Sequence, residues 1–181
     1  MKIKLMILLL LLTACNASDN ETSKQSASTI AHEIFLVRHA EKQTGNDPSL
    51  TTAGRERATT LARILGDKGL THIHSTNYRR TIETAAPIAA QTGLEIEQYD
   101  PRDLASFADE LRAAPGIHLV VGHSNTTPQL AEALGGEPGS PIDEQSEYDR
   151  LYVISLNGQG VTSTIERFGV RYQKDTLETA H

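Results

Sequence analysis

The 181-residue chain has a single cysteine, so no disulfide within the chain can hold its fold together. No apolar run approaches the roughly 20 residues a helix needs to cross a bilayer; Leu5 to Leu12 is far shorter. Positive charge is also in deficit. With 17 Lys and Arg against 23 Asp and Glu, the formal charge is −6, which argues against nucleic acid as a partner, since phosphate-backbone binding calls for a net basic face. No polybasic block is present to hold the body on an anionic membrane. There is no internal repeat, and no long insertion that could fold as a substrate-covering cap.

What is present begins with Lys2 and Lys4, the apolar run, and then small residues. These are the marks of a signal peptide over residues 1–14. The stretch Leu12-Thr13-Ala14-Cys15 resembles the bacterial lipobox, in which the cysteine becomes the lipidated first residue after cleavage. Cys15 is therefore the expected lipidation site, and an ordinary signal peptide with an incidental cysteine is the alternative. The resemblance implies an exported protein anchored by lipid to the bacterial cell envelope, facing the periplasm in a Gram-negative cell. Removing residues 1–14 takes away two lysines, for a mature charge of −6 − 2 = −8. Membrane contact is then expected through the acyl chains alone, and stable anchoring takes more than one chain. Residues 16–31 are polar, with almost nothing to bury, and read as a disordered tether after Cys15. Residues 32–172 carry the folded domain, and 173–181 form a polar tail.

Within the domain, Ile34-Phe35-Leu36-Val37 and Ile117 to Val121 are continuous apolar runs, as in strands buried on both faces. Ala58, Leu61, Ala62 and Leu65 recur at helical spacing, with Thr51 or Thr52 as cap and Gly66 as stop. Thr71 to His74 and Leu94 to Tyr99 are strand candidates. Arg79 to Gln91 reads as a helix that Pro87 should kink or interrupt, and Leu104, Phe107, Ala108 and Leu111 mark another. Thr127 is placed to cap a helix opening on Pro128. Two strands, Arg150 to Leu156 and Val161 to Phe168, flank the hairpin signal Asn157-Gly158-Gln159-Gly160. Residues 137–147 are expected to form a surface loop, and the acids of Asp143 to Asp149 to be solvated. The alternation predicts a single three-layer α/β/α domain whose sheet is mostly parallel, with an antiparallel hairpin near the C-terminus.

In such sheets, ligands bind beyond the carboxyl ends of the strands. Arg38-His39 and Gly122-His123 each follow a buried strand directly, and Arg79-Arg80 opens a helix. Cations converging on one crevice suit a tetrahedral oxyanion. Arg38-His39-Ala40-Glu41 resembles the Arg-His-Gly-Glu signature of the histidine phosphatase superfamily, also called phosphoglycerate mutase-like. Thr76 to Ala85 resembles its Ser-x-x-x-Arg-x-x-x-Thr-Ala segment, with Arg80 rather than Arg79 at the arginine position. Leu50-Thr51 and Gly54 match its helix entry, and Gly122-His123-Ser124 its second-histidine motif.

The resemblance implies a phosphatase acting on phosphomonoesters or phosphoramidates, on a small molecule or a macromolecule. His39 would attack phosphorus and become phosphorylated, while Arg38, Arg80 and His123 bind the non-bridging oxygens and Ser124 adds a donor. It implies no metal and no cofactor. Three departures stand out. Ala40 replaces glycine, narrowing the room near the phosphate, and Asn46 falls one position late for the extended signature. No motif fixes the general acid; its usual distance from the second arginine points to Asp103, then Asp100, although Asp103 is equally placed to cap the following helix. The alternatives are a non-catalytic phosphate-binding module and a phosphomutase. His72 and His74 share a strand face without the further ligands a zinc site needs, and Glu41 would orient a neighbour or form a salt bridge. His32, His118 and His181 are expected to be solvated or satisfied structurally. Oligomeric state is not legible.

Overall fold

A computed structural model describes residues 32–171. The proposed signal peptide, Cys15, the tether, residues 172–181 and with them His181 lie outside the described residues. In chain order the elements are β1 (Glu33–Arg38), α1 (Thr52–Leu65), β2 (His72–Ser75), α2 (Arg79–Thr92), β3 (Ile96–Gln98), α3 (Leu104–Ala113), β4 (Ile117–Gly122), α4 (Thr126–Ala133), β5 (Arg150–Asn157) and β6 (Gly160–Arg167). The strands form one sheet in the order β3-β2-β4-β1-β5-β6. The first four in that order are parallel. β5 runs antiparallel to β1, and β6 to β5, across the expected hairpin.

Successive side chains of a strand point to opposite faces, and β1 shows what that does to an apolar run. Phe35 and Val37 pack with Leu61, Leu65, Ile73 and Ile88 on the face covered by α1 and α2. Ile34 and Leu36 pack with Phe107, Leu111, Leu130 and Leu134 on the face covered by α3 and α4. The domain is therefore a three-layer α/β/α fold with a mostly parallel sheet. β1 and β4 lie side by side at its centre, and their carboxyl ends set the site.

Several expectations need correction. Pro87 does not interrupt α2; the helix continues to Thr92, and Thr84, Ala85 and Ile88 on either side of the proline are buried. Core packing there outweighs the one hydrogen bond that proline removes. Thr127 is no cap but the second residue of α4. Asn125 occupies the cap position without a side-chain bond, while the Thr126 hydroxyl accepts the His123 N–H at 3.1 Å. The strand expected over Leu94 to Tyr99 is confined to Ile96–Gln98.

The largest correction concerns the acidic loop before β5. Glu147 and Asp149 are buried, at 2% and 1% exposure, although most of residues 137–146 are exposed. Glu147 accepts from Arg150 Nη2 at 2.5 Å and Arg167 Nη1 at 2.7 Å. The same Arg167 nitrogen reaches Asp149 at 2.7 Å. Burial pushes the Glu147 carboxyl up, but bonds from Arg150, the Asp143 N–H and Arg167 outweigh it, and its pKa lies below the usual value. The loop is thus locked from beneath. Removing one partner of such a buried pair costs about 3–5 kcal/mol.

Candidate active site

His39 lies immediately beyond β1 and is buried, its N–H donating to the Gly122 carbonyl at 2.9 Å. Its ring Nδ1 lies 2.8 Å from the Ala40 carbonyl. A carbonyl only accepts, so Nδ1 carries the proton and Nε2 keeps its lone pair. Burial holds the pKa of His39 down at about 3; the Ala40 bond opposes this, while Arg38, Arg80 and His123 reinforce it. The ring is therefore neutral at neutral pH. Ala40 does not crowd the site as expected, because its methyl packs with Leu50 and Ala58 in a small separate core.

Arg80 stands in the first turn of α2, where the helix dipole disfavours a cation. Its position is maintained from outside the helix. Asp47 Oδ1 accepts the Arg79 N–H at 3.0 Å and lies 3.6 Å from Arg80 Nη1. On the other side, the Arg80 guanidinium lies over the Tyr78 ring at 4.4 Å, a favourable cation–π arrangement. Asp47 was not anticipated. Its sequence signal is the turn Gly45-Asn46-Asp47-Pro48, where Asp47 takes a left-handed φ of 46°, a conformation in which Asp is enriched.

His123 follows β4 and meets the His39 ring edge-on, with centroids 5.7 Å apart. Arg80 Nη2 donates to its Nδ1 at 3.3 Å. Its Nε2 lies 3.0 Å from the Thr76 hydroxyl, itself 3.0 Å from the buried Thr81 hydroxyl. The Thr81 hydroxyl lies 2.9 Å from the Thr76 carbonyl and 2.8 Å from that of Tyr78, and its one proton goes to these carbonyls. Followed from that end, the protons can run only one way: Thr76 donates to Thr81 and accepts Nε2–H from His123. His123 is therefore the Nε2–H tautomer. Burial, then Arg80 and Arg38, lower its pKa to about 4. Gly122 is required just before it, because an added Cβ would lie 2.9 to 3.1 Å from the hydroxyls of Tyr99, Thr127 and Thr126.

Arg38 departs from expectation. Its Nη1 donates to the carbonyls of Asp143 and Glu147 at 2.9 Å each, and its Nη2 to that of Glu144 at 2.5 Å. Its guanidinium also stacks on Tyr148 at 4.1 Å. The arginine thus clamps the acidic loop with three of its five N–H donors; among the rest is the buried, unpartnered Nε–H. Arg80 Nε is likewise buried and unpartnered.

His39, Arg80 and His123 line a cavity of about 470 Å³ together with Ser124, Glu144 and neighbouring loop residues; Arg38 is not part of its lining. Ser124 borders the cavity. Asp103 does not. Its carboxylate accepts the Ser106 N–H at 3.2 Å and caps α3, the local role that competes for an Asp before a helix. Asp100 is bound by Arg102 at 2.7 Å and lies outside the lining. Glu41 grips Arg57 at 2.7 Å in a largely buried pair that ties α1 to the end of the domain through the Phe168 carbonyl. Gly54 belongs to the same seam, since a Cβ there would fall 2.2 Å from the Glu41 carbonyl oxygen.

At the other end of the strands, His72, His74 and His118 stack under α3, with His74 Nε2 3.1 Å from His118 Nδ1. His118 Nε2 meets the Ala114 carbonyl and His32 Nε2 the Leu111 carbonyl, so both are satisfied structurally. Among the described residues, no three His, Cys, Asp or Glu side chains form a group that could hold a metal ion.

Residues 34–102 match the family model described as the histidine phosphatase superfamily (branch 1). Over 78 residues the chain is 36% identical to the probable phosphoglycerate mutase GpmB of Yersinia enterocolitica, covering 39% of this chain and 36% of that protein. Over 81 residues it is 37% identical to phosphoglycerate mutase-like protein 4 of Arabidopsis thaliana, covering 40% and 35%. Sequence matches and family model together support the histidine phosphatase superfamily. The matched segment spans about a third of each of these two relatives. Likeness of fold is broader: a mycobacterial glucosyl-3-phosphoglycerate phosphatase superposes with a TM-score of 0.57 at 15% identity, covering 76% of this chain and 98% of that one. The motif residues His39, Arg80 and His123 of this chain meet at one cavity.

Proposed function

We propose that this protein is a phosphatase that hydrolyses phosphomonoesters or phosphoramidates through a phosphohistidine on His39, without a metal. The observation that supports this best is the neutral His39 ring, its Nε2 lone pair fixed by the Ala40 bond, beside a cavity flanked by Arg80 and His123. In the first step the Nε2–P bond forms as the bond from phosphorus to the leaving group breaks. In the second, water attacks phosphorus, the Nε2–P bond breaks, and inorganic phosphate leaves. Dividing one displacement into two is the gain from covalent catalysis. Arg80 stabilises charge on the non-bridging oxygens, and Arg38 contributes through Nε–H. His123 accepts from Arg80 at Nδ1 in the free protein, so it donates to a phosphoryl oxygen only after that nitrogen takes a proton.

A phosphomutase is the second reading, drawn from the names of the matched relatives. Export separates the protein from cytoplasmic metabolites and favours hydrolysis. A pure binding module would have no use for a nucleophile held in its reactive tautomer. We further propose that Cys15 is lipidated and tethers the domain to the cell envelope, which Cys15→Ser should abolish, moving the protein out of the membrane fraction; continued membrane retention would refute it.

The test of the chemistry is hydrolysis of p-nitrophenyl phosphate by the full-length chain in EDTA, beside His39→Ala. Wild-type turnover falling by about 10³-fold or more in the variant is expected. Equal rates would overturn the mechanism.

A further inference from the structure

Neither acid suggested by spacing reaches the centre, yet an alkoxide leaving group needs a proton. We propose that Glu144 donates it, an assignment that rests on the phosphatase reading. Among the described residues, Glu144 is the one acidic residue lining the cavity that contains His39. The other nearby acids are engaged elsewhere: Glu41 with Arg57, Asp47 at the start of α2, Glu83 with the Leu50 N–H, Asp100 with Arg102 and Asp103 as a cap. The two site histidines cannot substitute. His39 is the nucleophile, and the His123 proton points away to Thr76.

The backbone of Glu144 is held by the residue that precedes the nucleophile. Its carbonyl accepts from Arg38 Nη2 at 2.5 Å and from the Tyr148 hydroxyl at 3.5 Å. The flanking carbonyls of Asp143 and Glu147 take Arg38 Nη1, and the Glu147 carboxylate anchors the loop beneath through Arg150 and Arg167. One guanidinium therefore couples the position of the acid to that of His39. The Glu144 side chain itself is exposed, and the Arg38 clamp takes only its carbonyl. Arg38 thus holds this loop through Nη1 and Nη2.

As His39 Nε2 bonds to phosphorus and the P–O bond breaks, the carboxyl proton passes to the departing oxygen, giving the alcohol and a carboxylate. That carboxylate then takes a proton from the water that attacks the phosphohistidine. The donor is restored and the proton count closes.

The experiment compares ethyl phosphate, whose leaving group requires protonation, with p-nitrophenyl phosphate, whose leaving group does not. It uses the full-length wild type, Glu144→Gln and Glu144→Asp. Glu144→Gln should lower kcat/KM for ethyl phosphate by about 100-fold and for p-nitrophenyl phosphate by less than about fivefold, the range general-acid catalysis supplies. Glu144→Asp should recover part of the loss. A thermal melt unchanged in Glu144→Gln would separate chemistry from folding. Equal losses on both substrates, or no loss on either, would overturn the assignment while leaving the phosphatase reading intact. A wild type inert on both esters would overturn both.

Discussion

Strand β4 carries a histidine near each end. His118 is its second residue, and His123 follows its last, Gly122. Each has a partner from a neighbouring strand, His74 for the first and His39 for the second. Burial is the leading cause that lowers the pKa of both His118 and His123 to about 4. Around His123 stand Arg80 and Arg38, next to a cavity of about 470 Å³. Around His118 the cavity is about 150 Å³, and its lining includes Glu97, Glu110 and Phe107 but no arginine. A phosphoryl dianion is drawn to the first and repelled by the second. Perturbed titration therefore does not by itself mark chemistry; the charge of the surrounding groups does. Both rings carry the proton on Nε2 and accept at Nδ1; what differs is the group that donates to that nitrogen. His118 is locked by a backbone carbonyl, and His74 donates to it. His123 is locked by a hydroxyl chain that leaves Nδ1 facing a cation.

The strongest way to break this contrast is to remove its cation. Arg80→Ala should lower kcat/KM for p-nitrophenyl phosphate by about 10²–10³-fold, as loss of an oxyanion donor does, while Arg79→Ala changes it by less than about threefold. Equal losses would shift the motif register by one residue and undo the contrast at its base.

A smaller effect is expected at the other group, in stability. The folded pKa of His74 is lowered to about 4 from an ordinary 6.5, chiefly by burial, with His118 and His72 adding to it. The unfolded chain therefore binds more protons between those values. Stability is fully present above about pH 6.5 and declines as pH falls through that window toward 4. Glu97, whose carboxylate lies 3.9 Å from His74 Nδ1, and Glu110 in the same cavity temper the loss; His32 and His72 add to the crowding of positive charge. Denaturant titrations at pH 7 and pH 5 should show His74→Gln losing less stability on acidification than wild type, with turnover at pH 7 retained. An identical pH dependence would show that this histidine group does not carry the acid sensitivity.

Most of the fold was legible because its signals are local. Strands β1 and β4 follow from unbroken apolar runs, α1 and α3 from helical spacing, and the β5–β6 turn from Asn157-Gly158-Gln159-Gly160. Failures came where a tertiary contact outweighs a local rule. Pro87 ends no helix because its neighbours are in the core, and Thr127 caps nothing because its hydroxyl reaches toward the Val37 carbonyl on β1. Residues 143–149 read as solvated acids, yet the arginines that bury Glu147 and Asp149 lie as far along the chain as Arg167.

The site divides in the same way. His39, Arg80 and His123 were placed by motif and by position beyond a strand or at a helix start, since a parallel sheet brings such ends together whatever the details of packing. Their protonation was not. The Nδ1–H of His39, the Nε2–H of His123 and the clamp by Arg38 each depend on where a carbonyl or hydroxyl from another segment falls. Composition and order along the chain determined which residues are available and where the sheet would present them. Only the folded structure decided which nitrogen is bare, which arginine is occupied and which acid reaches the cavity, because a hydrogen bond selects its partner over about 3 Å of space, and no spacing in sequence encodes that distance.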